Sequence, residues 1–183
     1  MSAINSKTDT EIINAFGNTN TKHKAFEWLL DCYQKRTYWH IRRIVINHDD
    51  ADDVCQNTMI KVWENLHQFK CDSKLYTWIY RIATNEALTF LNKQKNHQSL
   101  ENTSAELMGH LTASSYFNGN AAELKLQQAI LLLPEKQRLV FNMKYFENMK
   151  YEEISEVVGT SVGALKASYH HAVKKIEDFV VKD

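Results

Sequence analysis

Between Phe69 and Arg81 the chain reads FKCDSKLYTWIYR, where Phe69, Tyr76, Trp78 and Tyr80 are interleaved with Lys70, Lys74 and Arg81. Rings and cations mixed this closely suit unpaired nucleic-acid bases, because aromatic faces stack on base faces while the cations follow the backbone. A core tryptophan beside surface charges accounts for Trp78 alone, but not for the whole cluster. Catalytic and metal chemistry has no comparable support. The eight histidines form no H-E-x-x-H and no i,i+4 pair, and no glycine-rich phosphate loop occurs. Cys32, Cys55 and Cys71 are odd in number and contain no C-x-x-C, so neither a disulfide framework nor a zinc site is expected. No catalytic residue, cofactor or metal is assigned.

Two further patterns could carry binding. A helix expected over about 51–68 keeps Ala51, Cys55, Thr58, Met59, Val62 and Leu66 on one stripe and leaves Asp53, Gln56, Asn57, Ile60 and Glu64 opposite. An isoleucine among acids and amides fits a protein interface with an apolar anchor in a polar rim, although single exposed isoleucines are common. Near the C-terminus, a short helix, a turn at Gly159 and a helix opening at Ser161 follow the helix-turn-helix pattern. Gly163, Ala164, Lys166, Ala167, Ser168, His170, His171, Lys174 and Lys175 face outward on that second helix. The early ones are small, which allows close approach to a groove floor. Between Gly159 and His171, however, Lys166 is the only permanent positive charge. A solvated face on a protein-binding bundle fits the same periodicity.

These patterns must be positioned by helices. With one proline, five glycines and 44% hydrophobic residues in 183, and long segments without strand alternation, the chain is expected to be all-α. Thr8-x-x-Glu11 is a capping box ahead of Ile12, Ile13 and Phe16. A long helix is expected from about Lys22 to Ile46, broken by NHDDADD, and another begins near Thr77. Residues 97–120, rich in Ser, Asn and Thr, read as a flexible linker with a turn near Ala105–Leu111. Asn120 caps the next helix, Pro134 starts another, Tyr151–Val158 is a short one, and Gly159 ends it in a left-handed cap. The expected architecture is two small helical bundles, 8–96 and 121–181, on a tether.

Charge and targeting narrow the function classes. Residues 1–100 carry 13 basic against 11 acidic groups, 101–123 none against 3, and 124–183 nine against 8. Neither bundle is basic enough to hold nucleic acid by bulk electrostatics, so local placement or a partner must supply the grip. Apolar runs such as Ala129–Leu133 are too short to span a bilayer, and MSAINSKTDT lacks a signal-peptide shape. A cytoplasmic location is expected.

Taken together, DADDVCQNTMIKVWENLHQF, SKLYTWIYRIATNEALTFL and LPEKQRLVFNMKYFENMKYEEISEVVGTSVGALK resemble, in that order, three segments of the extracytoplasmic-function (ECF) sigma factors of bacteria. These are two-domain promoter-recognition subunits of RNA polymerase, and the likeness spans nearly the whole chain. It implies that Asp50, Asp53, Gln56, Asn57, Ile60 and Lys61 dock on the polymerase. It implies that Phe69, Lys70, Asp72, Ser73, Lys74, Tyr76, Thr77, Trp78, Arg81 and Asn85 melt and read the minus-ten element as single strand. It places Ser161, Gly163, Ala164, Lys166, Ser168, His170, His171 and Lys174 on the minus-thirty-five element. The family usually has Gly at Cys71 and Arg at Thr84, Asn92, Ser168, His171 and Val173, so binding by the isolated second bundle should be weaker and less salt-dependent.

The resemblance implies a non-enzymatic sigma factor whose partners are core RNA polymerase, duplex and melted promoter DNA, and an anti-sigma factor, with no membrane insertion. Linking two modules to one large partner then compensates for weak intrinsic DNA affinity. The alternatives are a stand-alone helix-turn-helix regulator with an N-terminal sensor bundle, and a helical interaction protein that has lost DNA binding. No dimerisation heptads favour the former. His170 and His171 are expected to make upstream-element binding pH-sensitive, since histidine charges near neutrality.

Overall fold

The computed structural model describes residues 7–97 and 121–181. Within them the chain is helical and without strands. α1 (Asp9–Phe16), α2 (Lys22–Val45), α3 (His48–Asn65), a 3-10 turn (Leu66–Gln68) and α4 (Leu75–His97) form the N-terminal bundle. α5 (Ala121–Leu131), α6 (Glu135–Tyr145), α7 (Tyr151–Val158) and α8 (Val162–Val181) form the second. The linker expected over 97–120, its turn and the Asn120 cap lie outside the described residues, apart from His97.

Local chemistry sets the helix ends. Glu11 and Thr8 form the expected capping box, and Gly159 closes α7 at φ 67°, a left-handed conformation in which a Cβ is strained. α3 starts earlier than expected, at His48, within NHDDADD. The Asn47 side chain accepts the Asp49 and Asp50 backbone N–H groups at 2.8 and 3.3 Å, and both aspartates sit at the positive end of the helix dipole. α2 therefore stops at Val45, and Ile46 turns left-handed at φ 70° with its side chain still buried in the core. Pro134 precedes α6 as its N-cap, one position before the site expected for it.

The stripe expected on α3 does face inward, with Ala51, Cys55, Thr58, Met59, Val62 and Leu66 all buried. Leu29, Ile41, Ala51, Val62, Ile79, Ala83 and Ala87 are sealed in the N-terminal core, while Ala129, Ile130, Leu133, Phe141, Ala172 and Ile176 form a cluster inside the second bundle. Truncating the larger of these, such as Leu29, Ile41, Ile79 or Ile176, to alanine costs about 2–5 kcal/mol each. The two bundles also pack on each other. α7 lies along α4, α6 meets α2, and Leu139, Val140, Met143, Met149, Ile154 and Val157 join the N-terminal core.

Candidate nucleic-acid interface

The aromatic and basic residues gather where α3, the 66–68 turn and the start of α4 converge. Phe69 leaves the turn in an extended conformation, Cys71 bends the chain at φ 60°, and buried Leu75 anchors the first turn of α4. The resemblance implies glycine at this position, and glycine is the residue that adopts such a φ most cheaply. The resulting cavity, of about 700 Å³, is lined by Phe69, Lys70, Asp72, Ser73, Thr77, Trp78 and Arg81 from the expected minus-ten set. Trp78 and Phe69 pack with ring centroids 5.4 Å apart, so one side of the indole is braced. Thr77 is 2% exposed, so its contribution to the wall is small.

Three members of that set lie elsewhere. Asn85 is exposed farther along α4 and does not line the cavity. Lys74 and Tyr76 turn toward α7, where Lys74 Nζ donates to Glu153 Oε1 at 2.8 Å. Burial first, then the Glu153 carboxylate, pushes the Tyr76 phenol up to about 12. Burial works against ionisation of Glu153, but hydrogen bonds from Lys74, Tyr76 and the Lys150 backbone N–H outweigh it and hold the carboxyl at about 2.

The face assigned to polymerase borders a groove between α2 and α3, of about 610 Å³, lined by Phe26, Leu30, Tyr38, Met59, Ile60, Trp63 and Gln56 among others. Ile60 is 50% exposed at its edge. Trp63 is fixed by Phe16 and Phe26 at 5.3 and 5.0 Å and by the Lys22 ammonium at 4.6 Å. Asp53 and Asn57 are exposed. Two residues of this set are placed differently. Asp50 accepts from Gln94 at 3.2 Å, tying α3 to α4. Lys61 lines the cavity beside Trp78 and pairs with Glu86 at 2.6 Å. Burial, then Asp52, pushes the Cys55 thiol up to about 11, so it stays protonated at neutral pH.

On α8, Gly163, Ala164, Lys166, His170, His171 and Lys174 are exposed along one face. Ser168 is half-buried at its margin. The Ser161 hydroxyl accepts the Ala164 N–H at 3.4 Å, capping the helix as expected. A Cβ added at Gly163 would meet nothing within 4 Å, so the strip is open rather than crowded. The histidine rings lie 6.0 Å apart, and the Lys166 ammonium lies 5.8 Å from the Tyr151 ring.

Sequence patterns missed the polar contacts between the bundles. His40, 1% exposed, sits with Nδ1 2.9 Å from Glu147 Oε1, itself 6% exposed, and with Nε2 2.8 Å from Thr84 Oγ1. It stacks on Tyr80 at 4.5 Å. Arg43 approaches Glu147 at 3.7 Å, and burial lowers the pKa of its guanidinium. Thr84, a departure from the family pattern, is therefore a buried partner of this histidine. No local signal marks these pairs, because His40 and Glu147 are 107 residues apart and Lys74 and Glu153 are 79 apart.

With this geometry in place, the comparisons with known proteins agree on one family. Residues 29–97 match Sigma-70 region 2, and residues 123–176 match Sigma-70, region 4. The ECF RNA polymerase sigma factor SigW of Bacillus subtilis is 31% identical over 156 residues, covering 80% of this chain and 83% of that protein. The ECF RNA polymerase sigma-E factor of Haemophilus influenzae is 29% identical over 165 residues, covering 85% and 87%. In fold, the chain is similar to the sigma factor RpoE in complex with the anti-sigma factor NepR from Bartonella quintana. That likeness has a TM-score of 0.71 at 19% identity and covers 87% of this chain and 99% of that one. It is also similar to CnrH in complex with the cytosolic domain of CnrY, with a TM-score of 0.69 at 22% identity and coverage of 96% and 98%. The chain belongs to the ECF family of RNA polymerase sigma factors. It is a transcription-initiation factor that directs polymerase to promoters and is not itself an enzyme. No helix among the described residues is long and apolar enough to cross a membrane.

Proposed function

We propose that the chain divides its work between a bundle at 8–96, a linker at 97–120 and a helix-turn-helix bundle at 121–181. The first docks on core polymerase through Asp53, Gln56, Asn57 and Ile60. It captures the melted minus-ten strand in the cavity of Phe69, Lys70, Trp78 and Arg81. The second reads the minus-thirty-five duplex with the exposed face of α8. The observation that carries this division is the cavity itself, where a braced indole, a second ring and two exposed cations line one concave surface. That chemistry suits single-stranded rather than duplex DNA.

Asp50 acts within this scheme by positioning α3 against α4, and Lys61 belongs with the cavity rather than with the docking groove. The likeness to a sigma factor solved with an anti-sigma factor supports an anti-sigma factor as a further partner, and a factor acting on polymerase works in the cytoplasm. The test is in-vitro transcription with core polymerase on a pooled promoter library, comparing wild type with Asp53→Ala plus Ile60→Ala. Wild type is expected to give promoter-specific 5′ ends, and the double variant to lose them while melting at an unchanged temperature. Normal transcription by the variant overturns the docking face. A tight, salt-sensitive duplex footprint by the chain alone favours a stand-alone regulator.

A further inference from the structure

We infer that His48 is a positioning residue for polymerase docking, bracing one end of the α2–α3 groove by holding Tyr38 and Asp52 on its two walls. This rests on the reading of that groove as the docking face. Phe26 and Tyr38 stand toward the two ends of the α2 wall, and Trp63 and Asp52 at the matching ends of the α3 wall. The Trp63 end is fixed by aromatic packing, with Phe26 at 5.0 Å and Phe16 at 5.3 Å. At the Tyr38 end the link is polar. His48 Nδ1 lies 2.6 Å from Tyr38 Oη, and Nε2 lies 3.6 Å from Asp52 Oδ2.

The reversal between the helices puts His48 there. Ile46 turns left-handed at φ 70°, Asn47 caps α3, and the first residue of α3 returns over Tyr38, ten residues earlier. The imidazole meets the Tyr38 ring edge-on with centroids 5.9 Å apart, and Trp39 meets the same ring at 5.4 Å. One neutral tautomer serves both walls: Nδ1 accepts from the tyrosine hydroxyl, and Nε2–H is left to face the Asp52 carboxylate. His48 and Asp52 are exposed, whereas Tyr38 is half-buried. An exposed pair of this kind holds little by itself, so the hydroxyl bond is the main link. His48 does not itself line the groove, so it acts through the two residues that do. A tyrosine already held at the wall need not be ordered when a partner fills the groove, and affinity rises by the entropy saved.

The experiment measures anisotropy of the full-length chain, fluorescein-labelled at its N-terminus, against core RNA polymerase. His48→Ala is expected to weaken binding about fivefold with an unchanged urea midpoint. His48→Asn, whose amide oxygen replaces Nδ1 as the acceptor, should bind within about twofold of wild type. Tyr38→Phe keeps the ring, removes the hydroxyl and should also cost about fivefold. The two losses share one bond, so His48→Ala plus Tyr38→Phe should lose no more than either alone. Losses that add mean that each side chain meets the polymerase independently, which overturns the brace. A loss that Asn does not restore, or that follows a fallen urea midpoint, overturns it as well. Ile60→Ala separates the brace from the docking reading. If Ile60→Ala weakens binding and His48→Ala does not, the groove is the docking face and the brace is overturned. If neither weakens binding, the docking face is overturned and the brace with it.

Discussion

Around Trp78 the molecule gathers rings and cations from a turn, a loop and a helix into one concave site. Along α8 it presents a convex strip of Gly163, Ala164, His170 and His171 with little permanent charge. A concave site with stacking partners concentrates binding energy in a few side chains. A smooth, weakly charged strip offers close approach and spreads a smaller energy over many contacts. The weak second face is tolerable in a protein that polymerase already holds.

The sharpest way to break this contrast is to truncate each face in turn. Trp78→Ala with Arg81→Ala should lower promoter-directed transcription about a hundredfold, with Trp78→Phe restoring much of it. Lys166→Ala with Lys174→Ala should cost less than about tenfold. Equal losses in the same run-off assay remove the distinction.

The junction between the faces comes next. His40→Ala strands the buried Glu147 carboxylate with Arg43 alone, and should weaken the interdomain contact by about 2 kcal/mol or more. Because the bundles can part, the loss should appear as faster hydrogen exchange along α7 and the facing turns of α4 rather than as global unfolding. Unchanged protection would show that the pair does not hold the bundles together.

A smaller effect separates the two backbones. Cys71→Gly relieves a left-handed cysteine and should stabilise the fold by up to about 1 kcal/mol, where glycine in an ordinary loop position destabilises. Gly163→Ala should likewise stabilise α8 by up to about 1 kcal/mol, while weakening upstream duplex binding a few-fold by filling the open strip. Urea midpoints and duplex titrations check both.

The smallest effect is acid dependence. The Glu153 carboxyl is held at about 2 when closed, against an ordinary 4.5. Its charge therefore favours closure fully above about 4.5, and that contribution is lost as pH falls from there toward 2. The Lys150 backbone bond within α7 survives opening, so only part of the depression is linked to closure. Interdomain distance, read by paired labels, should be insensitive to this carboxyl near neutrality and increase below about pH 4.5 in wild type. Glu153→Gln should lose that acid-dependent part.

Much of this was legible in the residues themselves. Thr8 and Glu11, Gly159 and Ser161 mark helix ends through contacts within four residues, and the stripes of α2, α3, α4 and α8 repeat every three or four. Ile60 stood out because its neighbours are polar. α3 starts before its expected position because the Asn47 cap competes with continuation of α2 inside an acidic run. The resemblance groups Lys61 and Asp50 with the docking face by their positions alone. Their placement depends on partners 25 and 44 residues away, Glu86 and Gln94.

The sequence by itself therefore determined the helices, the two bundles and the residue types gathered around Trp78 and along α8, since caps, stripes and the aromatic–basic loop are local in the chain. Tertiary structure decided that α7 lies along α4, that Glu156 lines the cavity beside Trp78 while Glu153 pairs with Lys74, and that His40 and Glu147 are buried together. The physical reason is separation. Glutamates and lysines are common on any helix surface, and only folding reveals which of them, 79 or 107 residues apart, share a contact.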